Sequence, residues 1–355
     1  MPNPADRRVR QPSFPHQDGF KMPAEWEPHK ATWLAWPHNQ ETWPGRRLDS
    51  VRETFMIMME GLLPHEQVHL LHRDAREFDG VSSALKKRGI KTGNLIPHIA
   101  ETADAWVRDY GPTFVRNQNG RKAWCKWVFN AWGGKYPELA CDNRIFEAGR
   151  NGIREACYEA DFVLEGGSIE VNGKATCLTT EPCLLNPNRN PRLSRDEIET
   201  KLRQYLGVSQ ILWLEAGIAG DDTDGHIDNL SRFVNEDTIV TVMEDNAAGE
   251  NFQPLKKNLK KIESSRTPEG KPWNVTVLPM PGEIRDEGVR RPASYANFYI
   301  ANQCVLLPVY GHRHDARAAS VLSELFPGRE IIPVPGRELV YGLGSVHCVT
   351  QQEPA

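Results

Sequence analysis

The chain has 355 residues, a length that calls for two or three domains of ordinary size unless the architecture is a closed barrel or propeller. With 39% hydrophobic and 25% charged residues, 28 glycines and 26 prolines, it is a turn-rich globular chain; disorder, collagen and a membrane span of ~20 apolar residues are excluded. A formal net charge of −4 leaves no overall positive field to hold nucleic acid and suits a small cationic partner better.

Residues 1–17 are polar, carry four prolines and lack any apolar stretch that could form a signal-peptide core. They are expected to be a flexible arm, and the cytoplasm is the expected compartment. A strand is predicted over 32–36 and a helix over 50–62, where Val51, Phe55, Met58, Met59 and Leu62 fall on one face. A strand over 68–71 and a helix over 79–88, stopped by Gly89, follow. From there the pattern becomes repetitive. Hairpins are predicted at 113–115 and 124–129 about Gly120, at 168–171 and 175–179 about Asn172-Gly173, at 230–234 and 238–242, and at 298–300 and 304–307. Helices are predicted over 145–156, over 195–206 with Ser194 as N-cap, over 254–262 and over 317–325. The hairpin turns recur roughly every sixty residues, as in an array of hairpin-plus-helix units.

Gly-rich polar segments stand immediately before strands at 104–109, 164–168, 224–229 and 342–348. Gathered at one opening, they would bring together a thiol, an imidazole and several carboxylates. His226 and Asp228 are two apart, so on an extended strand both would face one ligand. Cys348 follows a Gly-rich turn, and a partly ionised thiol is the strongest nucleophile the chain offers near neutral pH. Cys125, Cys157, Cys177, Cys183 and Cys304 read instead as small buried hydrophobes. With no CxxC pair among seven cysteines, neither a disulfide scaffold nor a zinc knuckle is expected. His347 would point away from Cys348 on a strand and reads as structural. The histidines of Gly311-His312-Arg313-His314-Asp315 lack further ligands and read as a surface loop. Asp221, Asp222 and Asp224 lack the glutamate of a calcium loop and read as a negative field. No phosphate-binding glycine motif is present.

Eight stretches then make the sequence recognisable: DGFKMPAEWEPHKATWLAWP (18–37), DAWVRDYGPTFV (104–115), FNAWGGK (129–135), DFVLEGGSIEVNG (161–173), TTEPCLLNPNRNP (179–191), DDTDGHIDNLSRFV (221–234), ASYANFYIAN (293–302) and GSVHCVTQQEP (344–354). The chain resembles the agmatine deiminase family, within the wider group of bacterial peptidylarginine deiminase, arginine deiminases and amidinotransferases. The resemblance implies an α/β fold over 18–355, a single catalytic domain forming a five-bladed α/β propeller (pentein) around a central site. It implies Cys348 as nucleophile, His226 as general acid and base, Asp109 and Asp228 as guanidinium-binding carboxylates, Glu165 as a further acid and Trp106 as an aromatic lining the pocket. Neither metal nor organic cofactor is implied, and family members are often homodimers.

The implied reaction is hydrolysis of agmatine to N-carbamoylputrescine and ammonia, a step of polyamine synthesis. The alternative is deimination of peptidylarginine or free arginine to citrulline, whose carboxylate would call for a partner such as Arg108, Arg192 or Arg232. Two other classes stand beside it: a non-catalytic propeller acting as a binding module, and a metal-dependent hydrolase built on His226, His312 and His314. The chain departs from longer family members in a shortened segment before Arg290 and in the approach Tyr341-Gly342-Leu343-Gly344 to the nucleophile. Both departures bear on what surrounds the substrate's far end.

Overall fold

Five sheets repeat one connection. The computed structural model describes residues 14–147 and 151–355. In each sheet two antiparallel strands, joined as a hairpin in four of the five, are followed across a connecting segment by a third strand lying parallel to the second. The hairpin Thr113–Asn117 and Lys122–Val128 is followed by Ala156–Val163. Glu170–Val171 and Thr176–Thr180 are followed by Gln210–Leu214 across the helix Arg195–Leu206. Ser231–Phe233 and Thr238–Met243 are followed by Asn274–Pro279 across Phe252–Ser264. Tyr299–Ile300 and Cys304–Val309 are followed by Glu330–Pro335 across Asp315–Leu325. The fifth sheet joins the two ends of the chain: Gln351–Pro354 pairs with His29–Ala35, which continues across the helix Arg46–Leu62 to Gln67–His72 and then to Leu95–Ile99. A small hairpin, Arg285–Asp286 with Val289–Arg290, stands apart.

Local chemistry accounts for these elements. The five apolar residues expected on one face of the first helix are all buried. The second helix, Ala75–Lys87, starts four residues earlier than its apolar pattern does, because the Asp74 side chain accepts the Glu77 backbone N–H at 2.9 Å and so caps the first turn. Ser194 and Glu197 form a reciprocal capping box at the head of Arg195–Leu206. Asn172-Gly173 turns the hairpin as expected, with Gly173 at φ 67°.

The helix expected over 145–156 is a correction. A 3-10 segment, Pro137–Arg144, precedes it, Asn151 and Gly152 take positive φ, and Ala156 already pairs with Ala123 in a parallel ladder. Residues 148–150 lie outside the described residues. Ladder pairing won over helical propensity because the third strand completes the sheet. Residues 1–13 of the expected arm also lie outside the described residues, whereas Pro15–Asp18 form a 3-10 turn and the Phe14 ring packs edge-on against Tyr205 at 5.5 Å. Among the described residues no helix is long and apolar enough to cross a membrane. All seven cysteines are free thiols.

Candidate active site

A short helical turn precedes the first strand of every sheet but one, and these turns carry the expected site residues. Asp109 lies on Val107–Tyr110 with Trp106 as the residue before it, and Glu165 precedes Gly166–Ser168. His226 precedes Ile227–Asn229, which contains Asp228, and Cys348 sits within His347–Val349. The expected strand at His226 and Asp228 is therefore a 3-10 turn; the strand begins only at Ser231. His347 and Cys348 likewise sit on a 3-10 turn, not on a strand. The fourth sheet contributes Asn297 from the loop before Tyr299–Ile300.

Three of these side chains converge on Gly167. A Cβ added there would lie 2.6 Å from His226 Nδ1, 2.9 Å from Asp109 Oδ1 and 3.1 Å from Asp228 Oδ2, so the position has no room for a side chain. The Gly167 N–H donates to Asp109 Oδ1 at 2.9 Å, and Trp132 Nε1 donates to Oδ2 at 2.8 Å. Burial holds the Asp109 carboxyl above its ordinary range, although His226 opposes this. Glu165 accepts from Arg189 Nε at 2.8 Å, and its other oxygen faces His226 Nε2 at 3.9 Å. Burial pushes Glu165 up, but His226 and Arg189 outweigh it and leave the carboxyl below its usual value. His226 Nδ1 lies 3.8 Å from Asp109 Oδ1. Burial alone would deprotonate this ring; Asp109, Cys183 and Glu165 reverse the sign and hold it well above the ordinary histidine value.

The thiol of Cys348 is buried against acids. Its Sγ lies 3.8 Å from Asp228 Oδ2 and accepts from Asn297 Nδ2 at 3.2 Å. Burial first, then the Asp228 and Asp109 charges, hold the thiol well above its ordinary value. Asp228 is held from behind by His347, whose Nδ1 meets Asp228 Oδ2 at 2.8 Å while Nε2 meets Glu25 Oε2 at 2.8 Å. Burial would raise the Asp228 carboxyl, but the His347 contact prevails and keeps it below the usual range. Its second oxygen, Oδ1, is buried with no hydrogen-bond partner among the described residues.

A cavity of about 270 Å³ opens onto Cys348, Asp109 and Trp106, with Trp132 and Asp222 also on its wall. His226, Asp228 and Glu165 do not line it and are buried around those residues. The Trp106 ring packs on Trp43 at 5.2 Å. The arginines expected to meet a substrate carboxylate lie elsewhere. Arg108 and Arg232 are buried and spent on Glu25, with Arg232 Nε also donating to Glu170 at 2.9 Å, and Arg192 is exposed. The cavity's arginine is Arg291. Cys183, expected to be a bystander, places its sulfur within 4.8 Å of the Glu165 and His226 side chains. His312 and His314 are not part of that group; Asp315 accepts the His312 N–H at 3.1 Å and ties the loop to the head of its helix. Asp224 pairs with Arg189 and with Lys135, and the Asp222 carboxylate accepts from the Tyr136 hydroxyl.

Glu25, Arg189 and Asn297 were not foreseen, whereas His347, read as structural, supports Asp228. Asn297 had a usable signal, because it stands before a strand just as the other site segments do. A family model described as Porphyromonas-type peptidyl-arginine deiminase matches residues 21–354. The agmatine deiminase of Stutzerimonas stutzeri (strain A1501) is 37% identical over 366 residues, covering 97% of this chain and 98% of its own. The structure of agmatine deiminase of Enterococcus faecalis superposes with a TM-score of 0.88 at 32% identity, covering 96% of this chain and 98% of that one. SxtG, an amidinotransferase from Microseira wollei, is 14% identical with a TM-score of 0.51 over 94% of this chain and 96% of that one, and shares the fold alone. The chain belongs to the Porphyromonas-type peptidyl-arginine deiminase family.

Proposed function

We propose that the protein is an agmatine deiminase, hydrolysing agmatine to N-carbamoylputrescine and ammonia through a thiouronium intermediate on Cys348. The observation that carries this reading is the convergence of Asp109, Asp228 and the His226 imidazole over Gly167 beside the Cys348 thiol. Two relatives that are 37% identical to this chain are named agmatine deiminases. The same reading takes residues 18–355 as one catalytic domain closed as a five-bladed α/β propeller. Five like sheets, with the C-terminal strand Gln351–Pro354 paired to His29–Ala35 near the other end of the chain, support that closure.

The chemistry follows from charge. A guanidinium is planar and cationic, and Asp109 and Asp228 can hold its nitrogens by charge-assisted hydrogen bonds that fix its plane. The same carboxylates raise the thiol's pKa when the site is empty. Entry of the substrate cation offsets their field, so the Cys348 proton leaves as the guanidinium arrives and the local charge is conserved. The thiolate forms a bond to the central carbon. His226, held as imidazolium by Asp109 and Glu165, gives its proton to the departing nitrogen, and the carbon–nitrogen bond breaks to release ammonia. Now neutral, His226 takes a proton from water as that water attacks the thiouronium carbon; collapse frees the ureido product and the Cys348 thiolate.

Purified protein incubated with agmatine is expected to release ammonia and N-carbamoylputrescine in equal amounts. A higher kcat/KM for a peptide ending in arginine would overturn the assignment of agmatine, and no release from any guanidino compound would overturn the reaction class. Gly167→Ala tests the convergence itself. Its Cβ would displace His226 or the two aspartates, and kcat/KM for agmatine is expected to fall at least ~10-fold while thermal unfolding shows a folded protein.

A further inference from the structure

The two stretches expected to depart from longer family members both reach the cavity, through Arg291 and through Tyr341-Gly342-Leu343-Gly344. Arg291, just beyond the small hairpin Arg285–Asp286 and Val289–Arg290, places its guanidinium 4.3 Å from the centre of the Tyr341 ring. Arg47 also lies against that ring, at 4.0 Å. The two arginines differ in what they bind. Arg47 is saturated, with Glu338 at 2.6 Å and Asp286 at 2.9 Å. Arg291 pairs with no acid among the described residues, and its Nε is sealed from solvent without a hydrogen-bond partner. It lines the same cavity as Cys348.

A buried guanidinium donor left unpaired is costly, and its rigid fork matches a carboxylate. The inner end of the cavity is acidic and suited to a guanidinium. A substrate that is cationic at both ends leaves Arg291 unused and meets its charge. Of the other acids on the cavity wall, Asp222 already accepts from Tyr136, and Glu41 and Glu138 are exposed. We propose that the site also hydrolyses linear guanidino acids, molecules with a guanidinium at one end and a carboxylate at the other, with Arg291 binding the carboxylate. The inference rests on the guanidine hydrolysis assigned to Cys348. The step is the same: the sulfur–carbon bond forms, a carbon–nitrogen bond breaks, ammonia leaves and water supplies the oxygen of a ureido acid.

4-Guanidinobutanoate tests this, because it closely matches agmatine in length and differs at the end group. The wild-type protein is expected to release ammonia from both. In Arg291→Gln the ratio of kcat/KM for 4-guanidinobutanoate over agmatine is expected to fall at least tenfold, the loss expected of one charge-assisted hydrogen bond, and Arg291→Lys is expected to recover part of it. Calorimetric titration of the acid into Cys348→Ala gives a readout independent of turnover, with binding expected and its loss expected in the double variant with Arg291→Gln. Turnover of agmatine without turnover or binding of the acid overturns this inference and leaves the proposed function standing, as does a ratio unchanged in Arg291→Gln. Failure with both compounds overturns the two together.

Discussion

Cys348→Ala is expected to lower kcat on agmatine by on the order of 10⁵-fold or more, the scale seen when a covalent nucleophile is removed from a site that acts as a unit. Agmatine should still bind. Asp109, anchored by the Gly167 N–H and Trp132, and Asp228, anchored by His347, do not depend on the sulfur for their positions. Removing the thiol also removes the proton that must leave when the cation enters. Calorimetric titration should therefore show agmatine bound by Cys348→Ala at least as tightly as its wild-type KM implies. Wild-type enzyme quenched in acid during turnover should carry an adduct on the peptide containing Cys348. Turnover within tenfold of wild type in the alanine variant would dispose of the covalent route, and loss of binding would show that the thiol is part of the guanidinium's cradle.

What the sequence made legible was whatever local chemistry determines. The apolar face of 50–62, the Asn172-Gly173 turn and the Ser194 cap each act within a few residues, and each appears where expected. The parallel third strands, Gln210–Leu214, Asn274–Pro279 and Glu330–Pro335, went unforeseen because no tight turn announces a strand that is paired across a helix. Ala156–Val163 went unforeseen for the same reason, and only its first residue lies in the expected helix over 145–156. Cys348, His226, Asp228, Asp109 and Glu165 stand in recognisable segments, and the structure gathers them. Their supports were hidden by distance along the chain. Glu25 reaches His347 across 322 positions, and Asn297 reaches Cys348 across 51. Arg291 was invisible as a cavity residue because the hairpin that delivers it and the Tyr341 ring that receives it are far apart in sequence. Burial had to be seen before Arg108 and Arg232 could be set aside as structural cations.

Asp228→Asn is expected to separate binding the guanidinium from setting the thiol's acidity. Asp228 has one oxygen on His347 and one buried oxygen with no partner among the described residues, free to accept from a guanidinium nitrogen. Asparagine keeps the shape and an acceptor for His347, so the fold should persist. It removes the charge that strengthens hydrogen bonds to the substrate, and kcat/KM for agmatine is expected to fall roughly 10³-fold, the effect of two such bonds lost or weakened. The thiol should respond in the opposite sense. Burial is the largest cause of its raised pKa, and the Asp228 charge is the next. A group held above its ordinary value by a neighbouring anion returns toward that value when the anion is neutralised. The thiolate is the species that alkylates, so in the wild type the rate of iodoacetamide modification at Cys348 should climb only at alkaline pH, and in Asp228→Asn the climb should move to lower pH. Measured as rate against pH, with the modified peptide identified by mass spectrometry, the two profiles should be displaced while agmatine hydrolysis collapses. Superposed profiles would mean that burial alone sets the thiol's acidity, and Asp228 would then act on the substrate and not on the nucleophile.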